Sequence, residues 1–161
     1  MKKSRFYVFV LLSLIMLNAC KQNQNEMENA ISEKTSVANT QDSVRDGVFI
    51  HITASYSDPH RVLMPLKMAN MMAADKDVLV YMDIHAVELL VKGSKDISFA
   101  DFESAHTYIK GLVDKKVTVF ACPTCLKIAG FKPEDLLEGV QVAQKDKFFN
   151  FTKGRIVTLD Y

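Results

Sequence analysis

Continuous apolar runs alternate with helical segments along most of this chain, and this alternation limits its fold more than any other feature. Strand patterns occupy residues 48–54, 77–83, 116–121, 140–143 and 155–159. Strands that are apolar on successive residues are typical of a parallel sheet whose two faces are covered by helices. Ligand sites in such folds lie at the carboxyl ends of the strands. The pattern therefore predicts an α/β domain with its chemistry at one edge of the sheet.

The segments between the strands carry helix signals. Asp58 and Pro59 form an N-cap followed by proline at the first helical position, which predicts a helix that runs to about residue 74. Pro65 predicts a kink or a short first turn in that helix. Further helical segments are predicted at 85–91, 101–114, 122–129 and 133–137.

The first 19 residues have the features of a bacterial lipoprotein signal peptide. Basic residues precede an apolar run from Phe6 to Leu17, which is too short to span a bilayer. Ala19 then supplies a small residue before Cys20, whose thiol would accept a diacylglycerol. An ordinary secretory signal with a chance cysteine is the alternative. We predict lipidation at Cys20 and a lipid anchor in the cell membrane or outer membrane, facing the periplasm or the exterior.

Three parts of the chain follow from this prediction: a signal peptide at 1–19, a lipidated polar tether at 20–46 and a domain at 47–161. The tether is rich in Asn, Gln, Glu, Ser and Thr up to Arg45, and has no aromatic residue. Such a segment buries too little apolar surface to offset the entropy cost of ordering it.

The charge balance argues against a nucleic-acid partner. The precursor has 20 basic and 19 acidic residues, and three of the basic residues lie in the predicted signal, which leaves 17 against 19. No basic stripe with interleaved aromatic residues appears. We therefore expect no nucleic acid among the partners.

The motif Cys122-Pro123-Thr124-Cys125 follows the third strong strand pattern and opens a helix. A thiol at a helix N-terminus lies near unpaired N–H groups and the positive end of the helix dipole. Both favour the thiolate, which is the form that attacks sulfur. We predict that Cys122 is a reactive cysteine and that Cys125 resolves or protects it.

Two other interpretations of this motif stay open. The first is a non-enzymatic oligomeric binding module in which Cys122–Cys125 is a structural disulfide, because the predicted compartment is oxidising and these two cysteines are the ones left once Cys20 is lipidated. A metal site would need further ligands, and none of the histidines has zinc-finger spacing. Copper binding by methionines that recur on one helix face is a related alternative, although core packing explains them as well. The residues in question are His51, His60, His85, His106, Met64, Met68, Met71 and Met72.

The stretch VFACPTCLKIAG resembles the cysteine motif of the DsrE/DsrF/TusD-like sulfurtransferase superfamily, in which a strand ends in a cysteine followed by a short helix and a glycine eight residues on. Cys122 and Gly130 have that spacing. The segments HRVLMPLKMANMMAADKDVLVYM and AVELLVKG resemble the first helix, the second strand and the apolar segment of that family. The resemblance covers most of 47–161.

The resemblance implies a three-layer α/β sandwich with a five-stranded, mainly parallel sheet. It also implies a homo-oligomer, often a trimer or hexamer, and a persulfide carried on the cysteine that Cys122 matches, with an unknown protein as sulfur donor or acceptor. No cofactor is implied. The sequence departs from the family by being exported and by reading IHAV at 84–87, where many relatives have a glycine-containing turn.

His85 is the third candidate site residue. It follows the second strand, at the sheet edge where the Cys122 loop is also expected. An imidazole there would pair with the thiolate or relay a proton. A hydrogen-bonded histidine beneath a loop is the alternative. His51 lies within a strand pattern and is interpreted as structural.

Overall fold

The computed structural model describes residues 44–161. The predicted signal peptide, the predicted lipidation site Cys20 and most of the predicted tether lie outside the described residues. The strands are β1 Gly47–Ile52, β2 Asp77–Met82, β3 Thr118–Ala121, β4 Gln141–Val142 and β5 Ile156–Asp160. The helices are α1 Pro59–Met72, α2 Ala105–Asp114, α3 Pro123–Ile128 and α4 Lys145–Phe149, with 3₁₀ turns at Ala86–Leu90 and Pro133–Asp135.

The five strands form one parallel sheet in the order β4-β3-β2-β1-β5. The chain moves outward in one direction from β1 to β4 and then returns past β1 to form β5 on the other side. Right-handed crossovers place connections that run in opposite directions on opposite faces of a sheet. The fold is therefore the predicted α/β sandwich of three layers.

The main core lies between the sheet and the helices of the outward-moving connections. Alternate strand residues face it and are buried, because successive side chains of a strand point to opposite faces. Val62, Leu66 and Ala69 of α1 and Ile109 and Leu112 of α2 cover this face and are also buried. The strand residues of this face are Val48, Ile50, Ile52, Val78, Val80, Met82, Val119 and Ala121.

The second face of the sheet is aromatic rather than aliphatic. Phe148 of α4 packs edge-on against Phe49 and Tyr81, with ring centroids 5.2 Å apart in both pairs. It also stacks on Phe120 at 6.5 Å. The return connection thus covers this face through one short helix, under which Phe120 is fully buried while Phe49 and Tyr81 are partly exposed.

Two predicted helix boundaries need correction. α1 runs as one helix through Pro65, which is buried, so the predicted short first turn is wrong. α2 begins at Ala105 rather than at 101, because the hydroxyl of Ser104 accepts a hydrogen bond from the backbone N–H of Thr107 at 3.3 Å and caps the helix there. Within residues 44–161, no helix has the length and apolar content that crossing a membrane requires.

Candidate functional site

Cys122 lies at the carboxyl end of β3, where the chain turns into α3. Its backbone N–H donates to the carbonyl of Met82 at 3.0 Å, which extends the β2–β3 ladder by one step. Cys122 is the N-cap of α3, and its Sγ accepts a hydrogen bond from the backbone N–H of Cys125 at 3.5 Å. Pro123 follows at the first helical position, where its missing N–H leaves no donor unpaired. The sulfur thus takes the place that a Ser or Asp side chain usually takes at a helix start.

The surroundings of Cys122 lower the pKa of its thiol. Partial burial opposes ionisation and raises the pKa, but hydrogen bonds to the sulfur outweigh it. These come from the hydroxyl of Tyr81, from the backbone N–H and the side chain of Cys125, and from the backbone N–H of Thr124. Cys122 is half-buried, so the thiolate can still be reached from solvent. Such a thiolate is the form that acts as a nucleophile.

Cys125 has the opposite character. Burial is the largest cause that raises the pKa of its thiol, followed by its hydrogen bond to Cys122 and by the negative charges of Cys122 and Asp83. The backbone N–H of Ile84 donates to it and opposes this rise. Both cysteines are free thiols. The motif therefore consists of one thiol with a lowered pKa and, beside it, one thiol with a raised pKa.

An apolar pocket of about 440 Å³ opens beside Cys125. Two isoleucines on its wall are unusually exposed for their type: Ile84 is 55% exposed and Ile128 is 81% exposed. His85 also lines this pocket, with Glu88 beside it. The structure thus brings the predicted His85 to Cys125 rather than to the thiolate of Cys122.

His85 has few contacts of its own. Its side chain is 75% exposed, and its Nδ1 lies 3.4 Å from Oε1 of Glu88, three residues along the chain. It forms the N-cap position of the 3₁₀ turn Ala86–Leu90 without a side-chain cap bond. A catalytic role for His85 stays a prediction.

Three residues that the sequence did not single out as catalytic share the second face of the sheet near Cys122. Tyr81 and Asp83 come from the end of β2, and His51 comes from β1 beside them. His51 Nε2 lies 2.9 Å from Asp83 Oδ1, and its Nδ1 lies 2.7 Å from Asp160 Oδ1. Two features of the sequence could have identified Tyr81 and Asp83. They are two residues apart, so they share one face of a strand, and Asp83 lies at the carboxyl end of that strand.

The methionines of α1 do not converge on one point. Met72 packs against the main core, and Met71 is exposed. The hydroxyl of Tyr161 donates to Sδ of Met68 at 3.1 Å. Within residues 44–161, no group of three or more His, Cys, Asp and Glu side chains is arranged to hold a metal ion.

The fold and this site define a class: α/β proteins with a parallel sheet and a partly exposed cysteine where a strand passes into a short helix. The chain belongs to the DsrE/DsrF-like family, whose pattern matches residues 46–155. This membership indicates a function of the sulfur-relay type. No curated protein sequence matches the chain.

Two solved structures are similar to this fold. The YchN protein from E. coli has a TM-score of 0.57 at 17% identity, and the match covers 71% of this chain and 99% of YchN. MTH1491, a protein of unknown function from Methanobacterium thermoautotrophicum, has a TM-score of 0.49 at 20% identity, covering 70% of this chain and 98% of MTH1491. The likeness to YchN supports the fold.

Proposed function

We propose that this protein is a sulfur carrier that holds a persulfide on Cys122. The observation that carries the proposal is the environment of that sulfur, which is half-buried, caps α3 and accepts hydrogen bonds that favour the thiolate. Membership of the DsrE/DsrF-like family supports the same chemistry.

Loading would be a transfer between thiols. The Cys122 thiolate attacks the outer sulfur of a donor persulfide, forms a new S–S bond and breaks the S–S bond of the donor. The electron pair of the broken bond leaves with the donor sulfur, which takes up a proton and departs as a thiol. Oxidation and reduction cancel between donor and acceptor, so the step requires no cofactor.

Cys125 would act as the resolving partner. Once deprotonated, Cys125 attacks Sγ of the Cys122 persulfide, forms the Cys122–Cys125 disulfide and expels hydrosulfide, which takes the proton that Cys125 has lost. The Cys125 sulfur is oxidised and the outer sulfur is reduced, while Sγ of Cys122 exchanges one S–S bond for another, so the step balances without a further reagent. The raised pKa of Cys125 slows this release and favours carriage until an acceptor arrives.

We further propose that the protein is lipid-anchored through Cys20, in the cell membrane or outer membrane, with the domain facing the periplasm or the exterior. The basic, apolar and small-residue segments before Cys20 support this. A homo-oligomer, as a trimer or hexamer, is part of the same proposal. The surface offers apolar side chains for it on α4 and β5, where Phe149, Ile156 and Val157 are 69%, 52% and 56% exposed.

The test is the intact mass of the full chain after incubation with an organic persulfide and trapping with iodoacetamide. We expect a gain of one sulfur atom per chain that Cys122→Ser abolishes. Cys125→Ser, the matched control, should load as well as wild type and retain the sulfur for longer. A wild-type mass two hydrogens lighter, without labelling and reducible only after denaturation, would instead establish a structural disulfide and end the sulfur-carrier proposal.

A further inference from the structure

A row of polar side chains crosses four neighbouring strands at the carboxyl edge of the sheet. The parallel register pairs His51 of β1 with Tyr81 of β2 on one side and with Asp160 of β5 on the other. Tyr81 pairs in turn with Phe120 of β3, two residues before Cys122. Residues in register share a face, and so do residues two apart along a strand. His51, Tyr81, Asp160 and Cys122 therefore project from the second face of the sheet.

His51 occupies the middle of this row between two carboxylates. Its contacts with Asp83 and Asp160 are short, at 2.9 and 2.7 Å, and only 24% of its side chain is exposed. The Asp83 contact is not aligned for a hydrogen bond, so the buried atoms Nε2 of His51 and Oδ1 of Asp83 have no hydrogen-bond partner among residues 44–161. These two close contacts, together with the stacking of the imidazole on Phe49 and Tyr81, restrict the His51 ring.

Tyr81 is fixed by rings on two sides. The imidazole of His51 stacks on it with centroids 5.6 Å apart and an interplanar angle of 29°. Phe148 meets it edge-on at 5.2 Å and 86°. Edge-to-face pairs of this kind contribute beyond the area that they bury. These ring contacts restrict the phenol, and the strand register places it on the face from which the Cys122 sulfur projects, near enough for each group to shift the pKa of the other.

We propose that Tyr81 is a catalytic residue of the Cys122 site, where its hydroxyl donates a hydrogen bond to the sulfur, and that His51 is a positioning residue that holds the phenol ring. This inference rests on the proposed sulfur-carrier function, because the sulfur that Tyr81 contacts is the nucleophile of that reaction.

Tyr81 acts on the charge of the reacting sulfur. Before transfer, its hydroxyl stabilises the negative charge on Sγ of Cys122. As Sγ bonds to the outer sulfur of the donor, that charge leaves Sγ with the new bond, and the donor thiolate carries it away. No proton moves from Tyr81 in this step. It remains a donor throughout, because burial and the neighbouring Cys122 and Asp83 charges raise the pKa of its phenol far above that of the thiol.

The test is the pH dependence of iodoacetamide labelling in the full chain carrying Cys20→Ser and Cys125→Ser, so that Cys122 is the one cysteine left to be labelled. Tyr81→Phe keeps the ring and removes the hydroxyl. A hydrogen bond to a charged group contributes enough to move a thiol midpoint by about one pH unit. Labelling well below both midpoints should then slow about threefold, because the tenfold loss of thiolate is partly offset by the greater nucleophilicity of a thiolate with a higher pKa. Tyr108→Phe, the matched control, removes a hydroxyl from α2 on the other face and should leave the midpoint unchanged.

His51→Gln tests the positioning role. It should raise the same midpoint by less than Tyr81→Phe does, and should add nothing when combined with it, because the two act through one hydroxyl. Phe148→Leu loosens the phenol ring from its other side without touching the hydroxyl, and should also raise the midpoint. Phe148→Leu therefore tests the role of the phenol even if Tyr81→Phe does not fold. The ionisable side chains on the neighbouring strands nearest the sulfur are Tyr81 and Asp83, with His51 beside them.

The outcomes separate this inference from the function that it rests on. If Tyr81→Phe and Phe148→Leu leave the labelling midpoint in place while wild type still gains one sulfur, the role of Tyr81 is refuted and the carrier stands. If wild type gains no sulfur, the carrier proposal fails, whatever the midpoint does. A midpoint shift for His51→Gln that simply adds to that of Tyr81→Phe would overturn the positioning role alone.

Discussion

Ile84 is a β-branched residue in the left-handed region of backbone space, with φ of 47°. This conformation is a genuine outlier for such a side chain and costs about 1–2 kcal/mol. The residue lies between the end of β2 and His85, and its N–H donates to Cys125. Backbone strain of this kind clusters at functional sites, where the surrounding structure enforces it.

Replacing Ile84 by glycine should stabilise the protein by about 0.5–1 kcal/mol, because the relief of strain exceeds the entropy that glycine adds to the unfolded chain. Urea unfolding of both proteins measures the difference. Ala100→Gly is the matched control, since Ala100 has the same φ of 47° without a branched side chain, and its gain should be smaller. A loss of stability in Ile84→Gly would mean that the packing of the isoleucine side chain stabilises the protein by more than its backbone strain destabilises it.

At the scale of the secondary-structure elements, the packing of Leu126 fixes the position of α3 and therefore of the cysteine motif. This helix has six residues, too few for stability of its own, so packing must hold it. Leu126 is its one buried residue, and the backbone N–H of Leu126 donates to the carbonyl of Cys122 at 2.9 Å. The position of the Cys122 sulfur thus depends on a leucine four residues further along the chain.

We expect Leu126→Ala to lower the free energy of unfolding by about 2–5 kcal/mol, the usual cost of removing a buried leucine side chain. It should also slow labelling of Cys122 near neutral pH, because a loosened helix no longer directs its N–H groups at the sulfur. Ile128→Ala on the same helix removes an 81% exposed side chain and should change stability by less than about 0.5 kcal/mol. Equal effects of the two substitutions would contradict this account.

The elements were largely readable from the sequence, whereas part of the site was not. Apolar runs identified the strands, and Asp58-Pro59 marked the start of α1, because these signals are local. The sequence also indicated Cys122 and Cys125 through their place between a strand and a helix. The interaction between Tyr81 and Cys122 depends on which strands are neighbours and on their register, which no local pattern encodes. His51 was interpreted as structural for the same reason: its two acidic partners come from different strands.

At the scale of the whole molecule, an ion pair closes the sheet between its first and last described segments. Asp46, just before β1, accepts hydrogen bonds from Arg155, just before β5, at 2.7 Å to Nη2 and 3.2 Å to Nε. The hydrogen bond from Arg155 is the largest influence on the pKa of Asp46 and lowers it, with burial opposing. This pair joins the end of the return connection, just before β5, to the start of β1, the strand with which β5 pairs.

The stability that this pair contributes should depend on pH. Since the folded pKa of Asp46 is lowered, the contribution is complete above the unfolded value of about 3.9 and is lost as pH falls through the folded pKa. Thermal melts from pH 7 to pH 2.5 should therefore fall more steeply in acid for wild type than for Asp46→Asn, which starts slightly lower. Asp114→Asn, which breaks an ion pair with Lys110 inside α2, is the control. Parallel curves for wild type and Asp46→Asn would contradict the assignment.

The last strand leaves an apolar edge that an isolated domain would have difficulty tolerating. β5 pairs with β1 on one side only, and both Ile156 and Val157, which point to opposite faces, are more than half exposed. Exposed apolar edge strands pair with other chains unless something covers them. If the protein is the proposed trimer or hexamer, this edge is where a second copy would be expected to bind.

Val157→Lys should therefore lower the molar mass of the full chain in light scattering coupled to size exclusion, because burying an unpaired lysine at a subunit contact is costly. Ile128→Lys places the same charge on another exposed isoleucine, beside the Cys125 pocket, and should leave the mass unchanged. A monomeric wild type would refute the oligomer. If Ile128→Lys lowers the molar mass and Val157→Lys does not, the subunit contact lies at the rim of the cysteine site instead. Assembly would then govern access to the sulfur.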